Sequence, residues 1–138
     1  MTQFLHSMIR VSDPEATIAF FKLIGLEERR RKEVPEHGYT LIFLGAPGDT
    51  GEVELTHNHG ESCYDGGRNF GHLAFRVKDI YATCQALADA GVTINRPPRD
   101  GHMAFVRTPD NISIELLQKG GNLPVAEPWA SMPNIGTW

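Results

Sequence analysis

Two histidines and two glutamates carry the chemistry this chain can do: His6, Glu54, His72 and Glu115. His6 opens HSMIRVSD (6–13) and His72 opens the similar HLAFRVKD (72–79), an offset of 66 residues, while Glu54 in VEL and Glu115 in IEL stand 61 apart. Two neutral imidazoles and two carboxylates carry a charge of −2, which cancels a divalent cation, and mixed N/O donors suit first-row metals. Four such ligands leave two octahedral positions for water or substrate. A metal with open positions is a Lewis acid for an oxygen that becomes negative in a transition state.

The elements that must position these side chains are also repeated. At the offset of 66, Asp13 meets Asp79 and Gly25 meets Gly91. The chain reads as two copies of a module of about 60 residues, too few for a solenoid, so the copies are expected to pair into one domain. Asp13, with Pro14 next, and Asp79 are N-caps; the helices that follow end at Gly25 and Gly91. Apolar residues at helical spacing, Ile18, Phe21 and Ile24 in one copy and Ile80, Cys84, Leu87 and Ala88 in the other, make each helix one-sided. Three strand-like runs follow each glycine: 27–33, 39–45 and 52–57, then 92–96, 102–107 and 112–118. GAPGDTG at 45–51 and TPDN at 108–111 are turns. The expected class is α+β, a βαβββ order twice in modules of about 4–57 and 71–118 with a tail over 119–138. The five-residue shortfall of the second copy is expected between Gly91 and Phe105.

Strand parity decides which side chains share a face. Leu5, Ile9 and Val11 are expected to face the first helix, with His6, Met8 and Arg10 opposed; Leu73, Phe75 and Val77 repeat this against His72, Ala74 and Arg76. Val53 and Leu55 oppose Glu52, Glu54, Thr56 and Asn58. Ile112, Ile114 and Leu116 oppose Ser113 and Glu115. The His and Glu residues therefore point away from the helices, where a carboxylate among apolar neighbours requires a partner or a cation.

Composition narrows the function classes. With 138 residues, 41% apolar and 22% charged, the chain reads as one globular domain rather than a disordered segment. A net charge of −4 argues against a general nucleic-acid binder, and no window approaches a membrane span. MTQFLHSMIR lacks the features of a secretory signal, so a cytoplasmic location is expected. Cys63 and Cys84 make no disulfide framework. ERRRKE at 28–33 reads as a solvated edge strand. His57, His59 and Cys63 in HNHGESC imitate a metal cluster, but His57 has the opposite parity to Glu54 and His59 sits in a glycine loop.

HSMIRVSDP, VELTHN, RNFGHLAF and TPDNISIEL resemble the glyoxalase I (lactoylglutathione lyase) family of the vicinal oxygen chelate superfamily, through about residue 118. The resemblance implies that His6, Glu54, His72 and Glu115 are metal ligands. It implies isomerisation of the methylglyoxal–glutathione hemithioacetal to S-lactoylglutathione, a methylglyoxal detoxification, at sites shared between the subunits of a homodimer. Arg10, Asn58 and Arg68 align with glutathione-binding positions, which suits a thiol carrying two carboxylates. Glu115 is the expected catalytic base and Glu54 the second, the two serving the two hemithioacetal enantiomers. Short members of the family point to Ni2+ or Co2+, with Zn2+ also accepted by such ligands. NRPPRDGH at 95–102 departs from the longer members' loop, and Arg96 or Arg99 stands in for its lysine. The tail, with Trp129 and Trp138, is expected to pack across the dimer or the site mouth without forming a helix.

Other readings are an acyl-CoA epimerase, an extradiol dioxygenase or a metal-free sequestering protein of the bleomycin-resistance type. Dioxygenases of this fold take two His and one Glu from a single module. Epimerases carry Gln where Glu54 lies and lack the Arg10, Asn58 and Arg68 set. A sequestering protein has no need of four convergent ligands.

Overall fold

The computed structural model describes residues 1–138. Two compact units follow one another, Met1–Asp65 and Gly66–Trp138, each built on one sheet. The first contains β1 (His6–Arg10), α1 (Pro14–Ile24), β2 (Glu27–Val34), β3 (Tyr39–Gly45) and β4 (Glu52–Asn58). Its strand order is β1-β4-β3-β2, with β1 parallel to β4 and the other pairs antiparallel. The second contains β5 (Leu73–Val77), α2 (Ile80–Asp89), β6 (Met103–Arg107) and β7 (Ser113–Gln118), in the order β5-β7-β6 with β5 parallel to β7. The class is α+β with mixed sheets.

The strand expected over 92–96 does not form; only Arg96 bridges to Phe105. Pro97 and Pro98 follow at once, and a residue without an N–H cannot extend a ladder. The shortfall is also distributed differently. Phe43 pairs with Glu54 and Phe105 pairs with Glu115, so the equivalent intervals are eleven and ten residues. Four residues are therefore lost before Phe105 and one in the β6–β7 turn.

Burial follows the expected parity, with local exceptions. In the first unit Ile9, Val11, Ile42, Leu44, Val53 and Leu55 are buried together with Thr17, Phe20 and Phe21 of α1, a helix face one residue away from the expected Ile18–Phe21–Ile24 stripe. Leu5, expected inside, is exposed because β1 begins only at His6. In the second unit Val77, Ala104, Val106, Ile114 and Leu116 are buried with Ile80, Cys84 and Leu87, while Leu73 and Phe75 are half-buried.

Both helices start and stop as their sequences dictate. Asp13 and Asp79 accept from the N–H groups of Ala16 and Ala82, at 3.1 and 3.0 Å. Gly25 closes α1 at φ 110°, and Gly91, one residue beyond the cap of α2, lies at φ 87°. These left-handed values suit glycine. The first turn differs in one respect. Pro14 has no N–H to satisfy, whereas Ile80 donates its N–H to Oε1 of the buried Gln118 at 2.8 Å. Gln118 Nε2 in turn donates to the carbonyls of Lys78 and Lys119, at 2.8 and 2.9 Å. Replacing Gln118 by Leu strands one donor and two acceptors at this turn, and an unsatisfied buried group costs about 1–3 kcal/mol. A loss of about 2–4 kcal/mol in stability is expected in urea unfolding; a midpoint within error of the parent would refute the role of Gln118.

Candidate functional site

Each unit brings one expected His and one expected Glu together. In the first, His6 Nε2 lies 2.9 Å from Glu54 Oε2, with side chains 37% and 12% exposed. In the second, His72 Nε2 lies 2.7 Å from Glu115 Oε2, at 41% and 14%. Within neither unit do three His, Cys, Asp or Glu side chains converge, so the expected set of four occurs as two pairs.

The surroundings of the pairs repeat as well. Glu54 is flanked in register by Met8 and Phe43, and Glu115 by Ala74 and Phe105. Phe43 meets the His6 ring edge to face, with centroids 5.8 Å apart at 81°; Phe105 meets His72 at 5.3 Å and 88°. The outer supports differ. The Arg30 guanidinium lies 3.9 Å from the centre of the Phe43 ring, whereas Trp138 stacks on Phe105 at 5.9 Å and 27°. Neither aromatic was singled out from the sequence, although each sits cross-strand from its glutamate.

Glu52 shares the face of Glu54 yet has a different fate. Arg30 grips it through two bonds of 2.7 and 2.9 Å, and Arg29 Nη1 stands 3.5 Å away. The hydrogen bond from Arg30 holds the Glu52 carboxyl below the usual carboxylate range, against an opposing push from desolvation, and raises the Arg30 guanidinium correspondingly. Glu52 is thus neutralised by the chain itself, which leaves Glu54 as the carboxylate beside His6. The ERRRKE run is the edge strand expected, but two of its arginines reach back across the sheet. Arg29 also donates to the Ala46 and Asp49 carbonyls and occupies the space a Cβ on Gly45 would need.

The remaining expected residues are placed as follows. Arg10 and Arg68 are exposed, and Asn58 is half-buried with an Oδ1 that has no partner. His57 Nδ1 donates to the Val11 carbonyl at 3.0 Å, and His59 Nε2 lies 2.9 Å from Thr40 Oγ1, so each ring has a structural contact. His57 stands 61 residues before Gln118; both tie a last strand to the turn ahead of a helix. Cys63 is exposed, and burial pushes the Cys84 thiol up to about 12. Arg96 donates to the Met103 carbonyl, and Arg99 to the Met132 carbonyl and Asn134 Oδ1, which commits both to holding the loop and tail. The tail forms no helix: Trp129 is buried and stacks on Tyr81, and Trp138 reaches Phe105.

The donor set fits a first-row divalent cation. Each pair offers an imidazole nitrogen and a carboxylate oxygen side by side, and an anionic oxygen this little exposed is costly without a cationic neighbour.

Residues 3–116 of the chain match the family described as the Glyoxalase/Bleomycin resistance protein/Dioxygenase superfamily. The chain is 43% identical over 125 residues to a probable lactoylglutathione lyase of Vibrio parahaemolyticus, covering 84% of this chain and 90% of that protein. It is 41% identical to the lactoylglutathione lyase of Haemophilus influenzae, covering 84% and 92%. The trypanothione-dependent glyoxalase I of Leishmania major superposes with a TM-score of 0.80 at 36% identity, covering 86% of this chain and 88% of that one. The chain belongs to this superfamily, among its lactoylglutathione lyases.

The Arg30–Glu52 pair makes stability pH-dependent in a stated direction. A carboxyl with a depressed pKa in the folded state contributes stability that is present above its unfolded value, near 4.5, and lost as pH falls through the folded value. The stability difference between the parent and Glu52→Gln should therefore be largest near neutrality and shrink below about pH 4.5. A difference unchanged from pH 7 to pH 3 in urea titrations would remove Glu52 from this role.

Proposed function

We propose that this protein is a lactoylglutathione lyase: it isomerises the hemithioacetal of methylglyoxal and glutathione to S-lactoylglutathione in the cytoplasm. The observation that carries the reading is the repeated His–Glu pair, His6 with Glu54 and His72 with Glu115, in a chain 43% identical to a probable lactoylglutathione lyase. These four side chains hold one divalent metal, Ni2+ or Co2+ in preference to Zn2+, in sites shared between the two subunits of a homodimer. When bound, the metal polarises the substrate oxygens and so acidifies the carbon-bound proton between them and sulfur.

The chain's own residues do the rest. Glu115 removes that proton and returns it to the adjacent carbon, and Glu54, its equivalent in the other copy, does so for the opposite hemithioacetal enantiomer. Arg10 and Arg68 bind the glutathione carboxylates; both guanidinium groups are exposed and planar, suited to bidentate pairing. Asn58 binds the γ-glutamyl group of glutathione. Nucleic acid has no part in this reading, and no helix is long and apolar enough to cross a membrane.

The direct experiment follows hemithioacetal consumption by the purified protein, before chelation, after it, and after adding back single metals. Activity should vanish on chelation and return with Ni2+ or Co2+, and only poorly with Zn2+. Zinc activity equal to nickel activity would refute the metal preference alone, whereas activity indifferent to chelation would refute the metal centre.

Substitutions separate the two kinds of residue. His72→Ala should lose metal and activity together. Arg10→Ala and Arg68→Ala should keep metal and raise KM with little change in kcat, the sign of lost uniform binding. Full metal content in the His72 variant, or an unchanged KM in either arginine variant, would strike that residue from its role.

A further inference from the structure

His72 precedes β5 and is not held by the β5–β7 ladder, which begins at Leu73 and Ile114. Its side chain is 41% exposed. Besides Glu115, its ring meets Phe105 edge to face. Phe105 in turn stacks with the Trp138 indole, centroids 5.9 Å apart at 27°. We propose that Trp138 is a positioning residue: through Phe105 it holds the His72 imidazole in the orientation that ligates metal. The proposal rests on the reading of His72 as a ligand.

The tail is built to deliver this ring. Ile135 and Asn95 exchange two hydrogen bonds, Ile135 N–H to the Asn95 carbonyl at 2.8 Å and Asn95 Nδ2 to the Ile135 carbonyl at 2.9 Å. Gly136, at φ 65°, turns the chain there. Arg107 then donates through Nε to the Thr137 carbonyl at 2.8 Å, while its Nη1 donates to the Asn111 carbonyl at 2.7 Å. Arg107 and Phe105 lie two apart on β6 and so share a face, which places the anchor beside the landing site. The family match ends at residue 116, so the support for Phe105 comes from a segment outside it. In the first unit the equivalent support for Phe43 is Arg30, fixed by Glu52 rather than by a tail.

The tail keeps other attachments without the indole: Trp129 on Tyr81, Tyr81 Oη–H to the Pro124 carbonyl, and Arg99 to Met132. Trp138→Ala is therefore expected to fold, with thermal unfolding as the check. The test measures Ni2+ affinity of the full chain by competition with a chromogenic chelator, in the parent, Trp138→Ala, Trp138→Phe, Phe105→Leu and the Trp138→Ala/Phe105→Leu double variant. Removing a group that orients a ligand costs about tenfold in metal affinity or more. Trp138→Ala should weaken nickel binding by about that factor, Trp138→Phe should recover most of it, and Trp138→Ala should have no further effect once Phe105 is Leu. The visible spectrum of the Co2+-loaded protein should shift in Trp138→Ala and return in Trp138→Phe. Unchanged affinity in Trp138→Ala, no recovery in Trp138→Phe, or an equal loss in the Phe105→Leu background would overturn the proposal while leaving the metal centre intact. A parent protein that binds no Ni2+ would overturn both.

Discussion

A carboxylate in the middle of a strand, between apolar neighbours and only slightly exposed, is the constraint on which the rest of this structure depends. Glu54 beside Met8 and Phe43, and Glu115 beside Ala74 and Phe105, each lose much of their water to the sheet face they sit on. An ion so placed must have a partner. The chain supplies an imidazole rather than a guanidinium, and the choice matters. A guanidinium stays charged and has no lone pair to give a metal, whereas a neutral imidazole has one. Glu52 shows the alternative on the same face: paired bidentately with Arg30, it is satisfied and closed to a cation.

The packing around each pair follows from that choice. Each histidine ring meets, besides its glutamate, a phenylalanine that lies cross-strand from that glutamate. The same residue is thus the register neighbour of the carboxylate and the ring neighbour of the imidazole. The repeat therefore holds more than the His–Glu pairs; it holds a His, a Glu and a Phe whose positions are coupled through register. On the opposite faces the strands pack with α1 and α2, which leaves the paired side chains on the faces away from the helices.

Much of this was legible in the sequence, for a physical reason. Period-two alternation and a fixed offset are local properties, so the strands around His6, Glu54, His72 and Glu115, the caps at Asp13 and Asp79 and the glycine stops were all readable. What escaped depended on partners distant in sequence. Apolar alternation over 92–96 looked like a strand, but two prolines removed the ladder donors beyond it. Leu5 had the right parity and no ladder to hold it. Nothing in the sequence sets Phe43 and Phe105 apart from other strand aromatics, and only the cross-strand register puts them against the histidines. Arg30 lay in a charged run that read as a solvated edge; the bulge between Glu28 and Arg30 was needed to see it aligned with Phe43. The roles of the site residues in binding metal and glutathione rest on resemblance and chemistry together.

The two copies solve equal problems with unequal means, and the differences cluster where a local solution was absent. The first turn of α1 needs no partner because proline begins it; α2 begins with isoleucine, and Gln118 must reach back from the last strand to satisfy it. Phe43 is backed by an arginine from the neighbouring edge strand. In the second unit that strand is reduced to a single bridge: Arg96 lies opposite Phe105 as Arg30 lies opposite Phe43, but its guanidinium donates to the Met103 carbonyl. The tail supplies the contact instead: Asn95, in the same shortened segment, fastens Ile135, and Trp138 stacks on Phe105. A shortened strand and a docked tail thus go together in the second unit, and both copies place a phenylalanine with a further contact of its own beside the histidine.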